Sequence, residues 1–136
     1  MNLKADHRVD EDGKHHVFLD GLRVWVHLSG GQWIAQGIDI DYATSGASQE
    51  LAAQSFMLGL CMTIVEHVRR FRSLERLISK RAPDDVYRAW VRELETHNLA
   101  ARQVDLPGAC VPEDDESSLA LLPNVFRFYE SPARPS

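Results

Sequence analysis

Two aspartates two positions apart, Asp39 and Asp41, are the residues of this chain best spaced for chemistry. On an extended strand alternate residues share a face, so both carboxylates would point the same way. Paired carboxylates can hold divalent metals for hydrolysis, but two-metal chemistry needs further carboxylates converging from other elements. Glu50 and Glu66 are the nearest other acids, and on a helix they stand several turns apart. The plainer reading is a solvent-facing strand whose charges discourage edge-to-edge association. A metal-dependent hydrolase using Asp39 and Asp41 is therefore the least favoured functional alternative.

The other chemistry-bearing types give less. The six histidines, His7, His15, His16, His27, His67 and His97, include no pair at the i, i+4 spacing of a helical zinc site. Cys61 and Cys110 stand far from each other and form no metal or redox spacing. Ser45, Ser55 and Ser73 lack the Gly-x-Ser-x-Gly context of an activated nucleophile. Gly30-Gly31 lacks the Gly-Lys and following helix of a phosphate loop and reads as a turn. The expectation is a non-enzyme, with no catalytic residue, metal or cofactor.

Two groups remain that could bind a macromolecule. Arg69, Arg72, Arg76 and Lys80 would fall near one face of a continuous helix. Such a face could meet phosphates, although cations also simply favour the C-terminal end of a helix dipole. Trp25, Trp33, Phe126, Phe128 and Tyr129 are large aromatics of the kind that anchor protein interfaces. Net charge is −5, which argues against general phosphate-backbone binding, although the stretch 48–82 is locally basic.

These residues must be positioned by recognisable elements. The stretch 15–19 reads as a short strand, followed by Asp20-Gly21, a two-residue hairpin signal. Leu22, Val24, Val26 and Leu28 then alternate with Arg23, Trp25 and His27, as on a strand with two different faces. Residues 32–38 give a further strand, with Gly37 marking a bulge or close backbone approach. Residues 39–45 give another strand, or a continuation after a bend. Ser48 is a good N-cap, with Glu50 in the first turn of a helix running to about residue 71. That helix is apolar around most of its circumference, so it should be buried on more than one side, against the sheet and then against another helix or subunit. Pro83-Asp84-Asp85 starts a shorter helix, residues 98–118 read as loop, and 124–130 alternate like a strand or extended arm. The acidic run 113–116 is the nearest internal counterpart to the basic group.

A 136-residue chain with 44% apolar and 26% charged residues is long enough for one domain with a single core. No apolar run reaches spanning length, the longest, 56–65, being interrupted by Gly59 and Thr63. No apolar leader precedes residue 17, and the distant cysteines suit a reducing compartment, so a cytoplasmic location is expected.

The segment GQWIAQGIDIDYATSGASQELAAQSFMLGL resembles the N-terminal domain of HicB-like antitoxins. The resemblance rests on Gly31, Trp33, Ala35, Gln36, Asp39, Asp41, Gly46, Ser48, Ala52 and Phe56, and covers about residues 22–71. It implies a partial RNase H-like β-β-β-α-β fold that binds and blocks a small toxin ribonuclease and oligomerises. The chain departs from that pattern after the helix, where neither a helix-turn-helix nor a ribbon-helix-helix segment is evident. The segment APDDVYRAWVREL is similar to a trailing helix of some stand-alone HicB-like proteins.

The expected fold class is α+β: an antiparallel sheet of three or four strands on a long helix, with an extra helix at about 84–96 and a C-terminal strand at about 124–130. Residues 1–14 are expected to be flexible, 15–130 to form one domain, and 131–136 to be a disordered tail. The expected function is a non-catalytic protein-interaction module in a bacterial toxin–antitoxin setting. It would act as a homo-oligomer, a dimer for preference, that masks a protein partner such as a toxin through a sheet edge and the C-terminal arm. The alternative is a nucleic-acid-binding regulator using the 69–81 basic face, and no membrane partner is expected.

Overall fold

The alternation at residues 22–28 belongs to a strand twice that long. In the computed structural model, which describes residues 3–9, 11, 13, 15–106, 119–121 and 124–132, β2 runs unbroken from His15–Ser29. Asp20-Gly21 does not turn the chain back as a hairpin. Gly21 takes φ +81°, and the pairing register shifts between Asp20 and Leu22. A glycine at positive φ is equally suited to a bulge, which inserts one residue and reverses the facing of everything beyond it. The core shows that reversal: Val17 and Leu19 before the bulge, and Leu22, Val24 and Val26 after it, all enter one apolar cluster. Without the extra residue one of the two sets would face the wrong way.

β2 is the spine of a seven-stranded mixed sheet. Along one edge it pairs antiparallel with β1 (Lys4–Val9) and then β3 (Gln32–Gly37). Along the other it pairs parallel with β6 (Leu119–Leu121) and β7 (Asn124–Glu130). β4 (Ala43–Gly46) closes one side against β3, and β5 (Ala101–Leu106) the other against β7. The expectation of an antiparallel sheet of three or four strands is thus corrected. The helices between β4 and β7 return the chain at the far edge of β2 in the same direction as β2, and that crossover makes the pairing parallel. Residues 4–9, expected to be flexible, are ordered by pairing with β2. Residues 101–106, expected to be loop, form β5. Pro107-Gly108, the 113–116 acidic run and residues 133–136 lie outside the described residues.

α1 (Gln49–Phe71) covers one face. Its start is as expected, with the Ser48 hydroxyl accepting from the Leu51 amide at 3.1 Å. Ala52, Phe56, Leu60, Ile64 and Val68 pack on the inward side chains of β2 and on Phe126 and Phe128 of β7. Phe56 meets both phenylalanines edge-on, at centroid distances of 6.4 and 6.5 Å. After the short α2 (Glu75–Ile78), α3 (Asp84–His97) covers the opposite face. There Trp90 packs with Trp25, Ile38 and Tyr129. The two faces read from β2 are therefore both covered, one by each helix.

The chain crosses between faces at residues 80–82, which is tied to the bend after β3. Asp41 N–H donates to the Lys80 carbonyl at 2.7 Å, and Ala82 N–H to the Ile38 carbonyl at 3.0 Å. Gly37 sits inside this bend, and a β-carbon there would strike the Ile40 carbonyl oxygen. Gly37→Ala is expected to lower unfolding free energy by about 1–3 kcal/mol, because fixed backbone must move. Gly59→Ala, whose methyl meets the movable hydroxyl end of Tyr42, should cost less, as urea denaturation of the two variants will show.

Candidate functional site

On the α3 face of β2 the polar side chain of Arg23 breaks an otherwise apolar surface, and its partner is Asp39. Arg23 Nη2 donates to Asp39 Oδ1 at 2.7 Å, Nε lies 3.2 Å from both carboxylate oxygens, and the Arg23 backbone N–H donates to Oδ2 at 2.9 Å. The Asp39 side chain is only 8% exposed, so it is not the solvent-facing residue expected from the sequence. The guanidinium also lies 5.1 Å over the Trp90 ring. Hydrogen bonding to Asp39 raises the Arg23 pKa above its ordinary value despite desolvation.

Asp41 is exposed, and residues 38–41 are bent rather than extended, so the two carboxylates do not share a face. A cleft of about 300 Å³ opens over the Arg23–Asp39 pair, with Ile38, Ile78, Arg81 and Tyr87 in its walls. Arg81 stacks over Tyr87 and pairs with Asp84 at 3.0 Å.

Further along the same face, Ser131 ties three layers together. Its hydroxyl accepts from Trp25 Nε1 at 2.8 Å and donates to Glu93 Oε2 of α3 at 3.1 Å. Its N–H donates to the Val26 carbonyl, and its carbonyl accepts from Gln49 of α1 at 3.1 Å. Ser131 is buried, which corrects the expectation that disorder begins at residue 131. A buried hydroxyl committed at both ends is not placed as a nucleophile. Beside it, His97 Nε2 lies 3.5 Å from Glu93 Oε2, and His27 stacks on Trp25 with centroids 3.8 Å apart. These side chains line a cleft of about 270 Å³. Burial lowers the His27 pKa below its ordinary value, and Glu93 opposes that shift. Among the described residues no cluster of three or more His, Cys, Asp or Glu is arranged to hold a metal.

The aromatic anchors expected to bind a partner are placed differently. Phe126 and Phe128 are fully buried under α1, so residues 124–130 are an internal strand and not a free arm. Trp25 is buried, Tyr129 packs on Trp90 at 5.4 Å, and Trp33 is half-buried against the main core. Trp25, Phe126 and Phe128 are thus core residues and not free interface anchors, while Trp33 and Tyr129 keep part of their rings exposed. The basic group is also rearranged. α1 ends at Phe71 with Arg72 in the left-handed conformation, and α2 starts only at Glu75. Arg69, Arg72, Arg76 and Lys80 therefore do not form one continuous helical face. Arg76 instead lies 4.3 Å over the Phe71 ring.

One surface feature was only half legible. α1 is buried over most of its circumference, but Leu51, Leu58 and Met62 remain 50%, 60% and 53% exposed in a narrow strip. Their spacing puts them in one stripe along the solvent face. The apolar circumference read from sequence was the signal for this stripe, but it did not show which side stays uncovered. Contrary to the sequence count, α1 is also long and apolar enough to cross a membrane by length and composition, with a mean hydropathy of 1.4 over its best window. Its inward residues nonetheless form the main core of the domain.

No family model matches the chain, and no curated protein or solved structure matches it either.

Two measurements test this geometry. Asp39→Ala leaves the part-buried Arg23 guanidinium unpaired and should cost about 1–3 kcal/mol of stability. Asp41→Ala, at an exposed position, should stay within about 0.5 kcal/mol of the parent in the same urea titration. The second concerns pH. His27 takes up its proton less readily in the folded chain than in the unfolded one, so the unfolded state binds more protons as pH falls. Stability should therefore drop as pH falls below about 6.5, the ordinary histidine value. His27→Gln should flatten that drop, and an unchanged slope in its pH–stability curve would exclude this origin.

Proposed function

We propose that this chain is a non-catalytic protein-interaction module of the HicB-like antitoxin kind, acting as a homodimer that binds a small protein partner. The observation that carries the reading is the stripe of Leu51, Leu58 and Met62 on the outer side of α1. Large apolar side chains grouped on one exposed face mark association surfaces more often than chance exposure does. The order of elements adds support: with β1 ahead and α2, α3, β5 and β6 inserted before β7, the elements β2, β3, β4, α1 and β7 keep the β-β-β-α-β order that the resemblance implies. β7 returns beside β2, so the order β4-β3-β2-β7 forms one continuous sheet on α1.

With Phe126 and Phe128 internal, strand addition by the C-terminal arm is replaced by a different mode. β5 is an end strand of the sheet order, with six residues paired to β7 on one side. An extended segment of the partner would add to its outer edge, taking affinity from main-chain hydrogen bonds. Ala101, Arg102 and Gln103 are exposed there. The paired carboxylates, one of them locked to Arg23, have no part in this reading.

The test is co-expression with the product of the neighbouring reading frame, which this reading requires to be a small protein. The two should leave a gel-filtration column together at a fixed ratio and stay together through dilution. Separate elution of two folded proteins would overturn the reading.

A further inference from the structure

We infer that the outer face of α1 seats the same face of a second copy of this chain, with the two helices antiparallel. The inference rests on the homodimer reading above and specifies its surface and polarity. Leu51, Leu58 and Met62 lie at i, i+7 and i+11, within a narrow angular range of the helix. Ser55, small and exposed, sits between them, so a second helix can approach closely. Most buried residues of α1 point away from the stripe into the core, and Val65, seven positions beyond Leu58, is itself buried and ends the apolar exposure.

Charge decides the polarity. The start of α1 carries Glu50, and its last turn carries Arg69 and Arg70, with Arg72 next. A parallel pair would set these arginines against their own copies. An antiparallel pair brings each Glu50 to the partner's basic end, and Leu58 level with the partner's Met62. It also opposes the two helix dipoles favourably. Glu50 and Glu66 flank the stripe on exposed positions, which sets it against an anionic bilayer and in favour of a second copy. A 23-residue helix is about 34 Å long, so a single helix pair falls at the small end of interface sizes. The dimer is accordingly a dissociable one.

Sedimentation velocity over a concentration series tests this with the whole chain. The parent should pass from monomer to dimer as concentration rises. Leu58→Glu and Met62→Glu should remain monomeric at every concentration while keeping the parent's circular dichroism and urea midpoint. Glu50→Arg and Arg69→Glu should each weaken the dimer, and an equimolar mixture of the two should restore it. A parent that stays monomeric throughout, or a mixture no tighter than either variant alone, overturns the inference. So does binding to phosphatidylglycerol vesicles that Leu58→Glu abolishes. Leu58→Glu should still co-elute with the small protein partner at the β5 edge, which separates failure of this interface from failure of the functional reading.

Discussion

A single strand with a different core on each side constrains everything else in this molecule. β2 is paired on both edges along most of its length, so its side chains have only two directions to point. One direction supplies Val17, Leu19, Leu22, Val24 and Val26 to α1, and the other supplies Arg23 and Trp25 to α3. Each fully buried aliphatic or phenylalanine side chain contributes roughly 1.5–3 kcal/mol relative to exposure. The α1 face holds most of them, so it supplies most of the stability. The bulge at Gly21 allows one strand to serve that face along its whole length.

The α3 face is smaller and is held by polar contacts that need exact partners. Arg23 and Asp39 fix the bend after β3, and the bend in turn holds residues 80–82 where the chain changes faces. Ser131 fixes the other end, with Trp25, Glu93 and Gln49 in one network. A part-buried ion pair adds little net stability over an apolar pair, but it penalises any arrangement that separates its members. Both networks therefore determine where α3 sits more than how strongly it is held. Trp90 bears a cost of that placement: its Nε1 is buried with no hydrogen-bond partner among the described residues. Its ring is committed to Arg23, Tyr87 and Tyr129.

The legible parts of the fold were those written in short-range patterns. Ser48, Glu50 and the apolar run defined α1 almost to the residue, and Pro83-Asp84-Asp85 placed the start of α3. The 124–130 alternation gave β7, and Gly37 was recognised as a close approach. Asp20-Gly21 was misread because an Asp-Gly pair at positive φ serves a hairpin and a bulge equally well. The shift of apolar parity from Leu19 to Leu22 was the clue that favoured the bulge. The parallel pairing of β7 with β2 depends on contacts between residues about a hundred positions apart, which no local pattern encodes. Asp39 was misplaced for the same reason, since its partner lies on another strand. The candidate site followed suit: aromatics chosen by type proved to be core, whereas the exposed stripe depended on which side of α1 the sheet would take.

That last dependence has a physical consequence for the function proposed. The sheet offers α1 one face, and β2, β3, β4 and β7 fill it, so among the described residues no further element lies over Leu51, Leu58 and Met62. α3 cannot cover it, because Trp25, Ile38 and Tyr129 hold α3 on the opposite side of the sheet. A polar outer face would then have been the stable solution for a solitary domain. The chain instead places leucine and methionine there while keeping charged residues at both ends of the same helix. Apolar exposure of this kind does nothing for the isolated fold and lowers its solubility. It gains a physical rationale when a second surface removes it from water. The burial that drives folding is complete without that surface, so association through it, as proposed, would follow folding and reverse without unfolding the chain.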